Sequence, residues 1–198
     1  MKLHIKHTTD YRYTEPLRYA LQTLWLTPLT GPAQTVDFWS LGAPEELFPQ
    51  TDAFGNSIHS YTFVGEVADN VRWSLVNAAG VVETLGIAEF TDAQTMPLPQ
   101  LYLRESPLAQ PHPSLAEFGR RFIASPALDG KTDLQAVLAL AAGVAGAVSY
   151  QKNSTNVNTT ALEAFEAGAG VCQDQAHVMV AVCRSLGIPA RYVSGYFY

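Results

Sequence analysis

The spacing of apolar and polar residues changes character about halfway along this chain. Up to about residue 85 it comes in short runs rich in valine, isoleucine, threonine and aromatics, with partial alternation of the kind a half-buried strand requires. LHIKHTTDYRY, LRYALQTLWL, TVDFWSL, SIHSYTFVGEV and VRWSLVNAAGVVE are the five clearest runs. Between two of them lies Asp52-Ala53-Phe54-Gly55-Asn56, whose glycine and asparagine suit a tight turn between paired strands. Successive strands with no helical pattern between them predict an antiparallel sheet or sandwich.

Residues 86–113 break the rhythm. Pro97, Pro99, Pro107, Pro111 and Pro113 crowd this span, and proline both removes ladder donors and resists helix. Beyond it the pattern turns helical. Ser114 to Glu117 has capping-box spacing and predicts a helix to about Ala124. Asp133 to about Val148 predicts a second, mostly buried helix, and Asn153 to Asn156 a loop. Thr160 to Glu163 is another capping box, opening a short helix that Gly168 should end. From Cys172 to Leu186 the apolar positions Ala176, Val178 to Cys183 and Leu186 surround nearly the whole of a helix, which should therefore be largely buried. Gly187 suits the left-handed position after its end, Ile188 the packing position that follows, and Pro189 blocks continuation. Arg191 to Tyr198 then reads as a strand. The class is α+β in three segments: an antiparallel, sandwich-like β domain over 1–88, a proline-rich linker over 89–112, and a mostly helical domain over 113–198.

Composition narrows the chemistry. The 198 residues are 47% hydrophobic and 15% charged, with a formal net charge of −6. That balance, without a Lys/Arg cluster, argues against nucleic acid and anionic membrane as partners. The longest apolar run, Ala136 to Val148, is 13 residues with two glycines, whereas a membrane span needs about 20. The start, MKLHIKHTTDYRY, has no apolar signal-peptide core. The two cysteines, Cys172 and Cys183, fall on one predicted helix. At ~1.5 Å rise per residue their α-carbons are about 16 Å apart, beyond the roughly 7 Å a disulfide tolerates. Two unpaired thiols without an export signal predict the cytoplasm.

Cys172 is the candidate for chemistry. Two glycines precede it at 168 and 170, and it opens a helix, where unsatisfied N–H groups and the dipole favour a thiolate and can donate to a developing oxyanion. The setting suits covalent acyl transfer, although a free cysteine is just as commonly an inert core residue. His177, five residues on, lies about 140° around the axis and ~7.5 Å along it, too far for the contact near 3 Å that a general base needs; a structural role is expected. Asp174 should favour the helix N-terminus electrostatically, and Cys183 should be inert core. His4, His7, His59 and His112 read as ordinary surface or core histidines. Cys172, His177 and Cys183 lack metal-ligand spacing. Tyr150 and the loop after it could line an acyl pocket or be plain surface.

GAGVCQDQAHVMVAVCRSLGIPARYVSGYFY, residues 168–198, resembles the core of the bacterial transglutaminase-like superfamily. The match runs through Gly170-Val171-Cys172, Ala176, Arg184, Gly187-Ile188-Pro189-Ala190-Arg191 and Val193-Ser194-Gly195-Tyr196. LHIKHTTDYRYTEPL and TDAFGNSIHSYTF are similar to the N-terminal β domain that precedes this core in many bacterial members. The resemblance implies a papain-like cysteine-enzyme core with Cys172 as nucleophile at the start of its central helix. It also implies a His and an Asp on later strands, usually in His-Ala-Trp and Asp-Pro-Thr segments. Neither segment occurs here. The expectation is therefore an incomplete core, inactive by itself, from a longer enzyme that acts on glutamine or peptide amides in a protein or peptide substrate. The alternative is a non-catalytic protein- or peptide-binding module on the same fold. Neither an organic cofactor nor a metal is implied. Self-association through an unfinished core surface is expected.

Overall fold

The computed structural model describes residues 1–13, 17–67, 72–85, 99–123 and 133–196. The chain divides into two compact units, Met1–Pro97 and Leu98–Tyr198.

The first unit contains strands β1 (Lys2–Arg12), β2 (Leu17–Leu24), β3 (Gln34–Gly42), β4 (Phe48–Thr51), β5 (Ser57–Val67) and β6 (Arg72–Thr84). They form two antiparallel three-stranded sheets, ordered β1-β6-β3 and β2-β5-β4. In β1 the alternation is clean, with Leu3, Ile5, His7 and Thr9 on the part-buried face and Lys2, His4, Lys6 and Thr8 exposed. Leu24, Tyr61 and Val76 form the buried nucleus, one residue from each of β2, β5 and β6, so both sheets share it. The Asp52–Asn56 turn joins β4 to β5. The Asp52 carboxylate accepts the Phe54 and Asn56 N–H groups at 2.8 and 2.9 Å, and Gly55 takes the left-handed conformation at φ 79°. β4 was not anticipated from the sequence because it contains Pro49. It is tolerated because, among the described strands, β4 lies at the edge of its sheet and pairs with β5.

The second unit is built on helices. A 3-10 turn at Pro99–Leu103 leads to α1 (Pro113–Arg120), α2 (Leu134–Ala147), strand β7 (Ser149–Tyr150), α3 (Ala161–Ala167), strand β8 (Ala169–Gly170) and α4 (Cys172–Ser185). The short strands β7 and β8 pair in parallel. Side chains from α1, α2, α3 and α4 make one core, in which Val178, Ala181 and Val182 of α4 are fully sealed among Leu115, Leu140 and Ala164. The class is α+β: antiparallel sheets in the first unit and a mostly helical second unit.

Three expectations change. The cap of α1 is His112, not Ser114: its ring Nδ1 accepts the Ser114 N–H, and Pro113, with φ already fixed, takes the first helical position. α2 runs as expected from its Asp133 cap, but of its own side chains only Leu140 and Val144 are buried, and Leu134 and Leu138 are more than half exposed. An apolar sequence shows that burial is available, while neighbours decide which side receives it. Residues 191–196 form no strand ladder, since a strand needs a neighbouring backbone and none of the described residues supplies one. Ala124, where α1 was expected to end, the last residues of the expected β domain (86–88) and 89–98 of the expected linker lie outside the described residues.

Candidate active site

α3 brings the chain to the site. Thr160 and Glu163 close a reciprocal capping box at its start, and Gly168 ends it at φ 63°. Two ladder bonds then hold the approach to Cys172. The Ser149 N–H donates to the Gly168 carbonyl at 2.9 Å and the Gln151 N–H to the Gly170 carbonyl at 2.8 Å. Val171 follows in extended conformation as the residue capping α4, and Cys172 is the first helical position.

Valine is an unusual residue for that position. The preferred caps, Ser, Thr, Asp and Asn, use a side-chain oxygen to satisfy one of the first-turn N–H groups. Valine has no such oxygen. Among the described residues the backbone N–H groups of Cys172, Gln173 and Asp174 consequently have no partner. The Cys172 thiol is exposed beside them and unpaired. An accessible sulfur and three open donors therefore share one helical turn, and they carry the partial positive charge of the helix end.

Asp174 faces the other way. It is 3% exposed, and a single oxygen, Oδ2, accepts the Val171 N–H at 2.7 Å and the Thr155 hydroxyl at 2.6 Å. Gly170 makes the space for it: a β-carbon there would lie 2.7 Å from the Asp174 Cβ. Gln175 reaches the Val148 carbonyl through Nε2 at 2.8 Å and ties α4 to the end of α2. Tyr150 is exposed on β7. The loop beyond it contributes Ser154, Thr155, Asn156 and Thr159 to a shallow depression of about 360 Å³ that also borders Glu163.

No hydrogen bond joins His177 to Cys172 among the described residues. His177 is buried, its Nδ1 has no hydrogen-bond partner among the described residues, and its ring lies against Tyr192 with centroids 5.4 Å apart. Burial pushes the imidazole below its ordinary value of 6.5, while the Asp174 charge acts in the opposite direction. Burial likewise pushes the Cys183 thiol up to about 11. His112 caps α1, and its backbone N–H donates to Ser185. Among the described residues, no group of three His, Cys, Asp or Glu side chains is disposed to hold a metal, and no helix is long and apolar enough to cross a membrane.

Sequence reasoning pointed to Cys172 and to the electrostatic place of Asp174. It missed Thr155 and Gln175, whose partners lie 19 and 27 positions away. It also missed what Val171 leaves open, although a non-capping residue ahead of a helical cysteine is visible in the sequence.

A cysteine-headed helix in an α+β core that follows two antiparallel sheets is an arrangement of the papain-like cysteine-enzyme fold. Residues 122–198 match the transglutaminase-like superfamily and residues 3–83 the bacterial transglutaminase-like N-terminal region, so the two matches together span most of the chain. An uncharacterized protein of Mycobacterium leprae is 26% identical over all of this chain and 71% of its own length. Uncharacterized proteins of Mycobacterium bovis and Mycobacterium tuberculosis are each 27% identical over 98% of this chain, which spans 65% of theirs. A crystal structure of a "Putative Cysteine Protease" from Cytophaga hutchinsonii has the same fold, with a TM-score of 0.68 at 22% identity, over 96% of this chain and 65% of that one.

Proposed function

We propose that Cys172 is the nucleophile of an acyl-transfer enzyme acting on the amide bonds of a protein or peptide. One observation carries this reading: the exposed thiol shares the first turn of α4 with three open N–H donors, and the preceding valine has no side-chain oxygen to close even one of them. Sulfur attacks the amide carbonyl, and the carbon–sulfur bond forms as the carbonyl oxygen takes negative charge. The donors of the first turn stabilise that oxyanion. Collapse breaks the carbon–nitrogen bond, the nitrogen leaves as ammonia or an amine after taking up a proton, and a thioester remains on Cys172. An incoming amine then gives a new amide; water gives the acid. Transglutaminase and hydrolase outcomes share every one of these groups and differ in which acceptor reaches the thioester.

The base is the part His177 does not provide. It is buried against Tyr192, and the resemblance assigns proton transfer to His and Asp segments that are not among these 198 residues. The 198-residue chain alone is therefore expected to give no appreciable turnover with a glutamine-amide donor and a primary amine, while a longer chain carrying those segments turns over. Ammonia release from the two, assayed in parallel, tests this. Equal turnover would defeat the assignment of the base. A longer reading frame without a His-Ala-Trp-like segment and a following Asp would favour the non-catalytic binding module.

A further inference from the structure

Asp174 sits where three parts of the site meet, and its geometry is more demanding than a helix cap requires. Its Oδ2 takes both the N–H of Val171, the residue before the nucleophile, and the hydroxyl of Thr155, from the loop between β7 and α3. The carboxylate is nine-tenths buried or more, directly over the α-carbon of Gly170, where a methyl group would come within 2.9 Å of Oδ2. The Gly170 carbonyl in turn accepts the N–H of Gln151, the residue after β7. A buried carboxylate is costly unless hydrogen-bonded. Here its known donors are the backbone on which Cys172 stands and the loop that lines the depression beside α3.

The direction of these bonds matters as much as their number. By turning back to the Val171 N–H, Asp174 fixes the backbone on one side of the sulfur without occupying the N–H groups of residues 172–174. An aspartate or serine one turn earlier would have stabilised the helix by closing one of those donors. Asp174 braces the turn and leaves them open.

We propose that Asp174 is a positioning residue: through Val171, Gly170 and Thr155 it sets the Cys172 sulfur against the open N–H donors of its own helix turn and locks the 151–160 loop beside it. This rests on the acyl-transfer reading above.

Two reagents separate positioning from mere folding. With p-nitrophenyl acetate, the Cys172 sulfur attacks the ester carbonyl, a carbon–sulfur bond forms, and the carbon–oxygen bond breaks with its electron pair leaving on p-nitrophenolate. That path develops an oxyanion and uses the N–H donors. With iodoacetamide, sulfur displaces iodide at a saturated carbon and no oxyanion forms. Both rates are measured at Cys172 by peptide mass spectrometry on the 198-residue chain. In Asp174→Ala the acylation rate should fall about tenfold while alkylation changes less than twofold. Asp174→Asn keeps an oxygen for both donors and should recover most of the acylation. Thr155→Val, which removes one donor and keeps the carboxylate, should lose two- to threefold. Unchanged acylation in Asp174→Ala overturns the proposal, as does an equal fall in both rates or a loss in Asp174→Asn as large as in Asp174→Ala. A wild-type Cys172 acylated no faster than free cysteine sinks the acyl-transfer reading instead. Amide exchange at Val171 then decides for Asp174: exchange accelerated in Asp174→Ala and slow in Asp174→Asn supports it, and exchange unchanged in both overturns it.

Discussion

The two ends of α4 were built to opposite rules. At its C-terminus the last carbonyls are answered closely. The Ile188 N–H returns to the Cys183 carbonyl at 2.9 Å and the Gly187 N–H to that of Arg184 at 3.0 Å, with Gly187 left-handed at φ 75°. The Arg184 guanidinium extends this order to its surroundings. It donates to the carbonyls of Tyr102, Ala109 and Ala190 and to the Ser106 hydroxyl. At the N-terminus three N–H groups are left open behind a valine, next to an exposed thiol. The same fourteen-residue helix has one end closed for stability and one end kept open. Sequence that can cap a helix so fully at one end has no physical difficulty doing so at the other, so on the proposed acyl-transfer reading the open end trades stability for chemistry.

The largest effect should come from the closed end. Arg184→Met keeps length and apolar bulk but removes the guanidinium from the Ala109 and Ala190 carbonyls and the Ser106 hydroxyl, and leaves the Tyr102 carbonyl with the Ala190 N–H alone. Burial already lowers the pKa of this guanidinium, so it is a cation held by its hydrogen bonds. Removing it should cost about 3 kcal/mol and lower the melting temperature of the second unit by roughly 15 °C. Below that temperature the acylation rate of Cys172 should remain as in the wild type. A thermal melt with the acylation assay beside it checks both halves. A loss of acylation matching the loss of stability would show that the two ends are not separable.

The open end should respond in the reverse sense. Val171→Ser supplies the missing side-chain oxygen, which can accept the N–H of Gln173 or Asp174. Stability should rise by up to ~1 kcal/mol, and p-nitrophenyl acetate acylation should fall about tenfold with alkylation nearly unchanged. Denaturant unfolding and the two rate measurements test it. A variant both more stable and equally reactive would mean that these donors play no part.

What could be read from the sequence follows the range of the interactions. The Thr160–Glu163 box, the start of α2 at Asp133 and the Gly187-Ile188-Pro189 ending depend on partners within a few residues, and all three stand where the pattern placed them. So does Cys172 at the head of α4. Local pattern failed where two local solutions competed: Ser114 and His112 could each cap α1, and Pro113 selects the residue before it. It failed again where a neighbour decides the outcome, as for the half-exposed α2, the β4 edge and residues 191–196. The parts of the site that were not legible are all distant in sequence: Thr155 to Asp174 spans 19 positions and Arg184 to Tyr102 spans 82. Spacing carries no signal for such pairs.

The smallest expected effect lies between the two ends, at His177. Its Nδ1 is buried without a partner among the described residues, the Tyr192 ring lies against it, and Asp174, on its own helix, is the charged group identified as acting on it. Desolvation outweighs that carboxylate and sets the folded pKa below 6.5. Below pH 6.5 the unfolded chain takes up a proton that the folded chain still refuses. The stability that neutral His177 contributes is therefore complete above pH 6.5 and is lost as pH falls from there through the lowered folded value. His177→Phe keeps a ring against Tyr192 and removes the titration. Denaturant unfolding from pH 7.5 down to pH 5 should show the wild type losing stability more steeply than the variant, with the curves parallel above pH 7. Parallel curves throughout would mean that the imidazole takes up its proton equally well in both states. Its burial beside Tyr192 would then carry no electrostatic cost, and α4 would have no pH-sensitive point between its closed end and its open one.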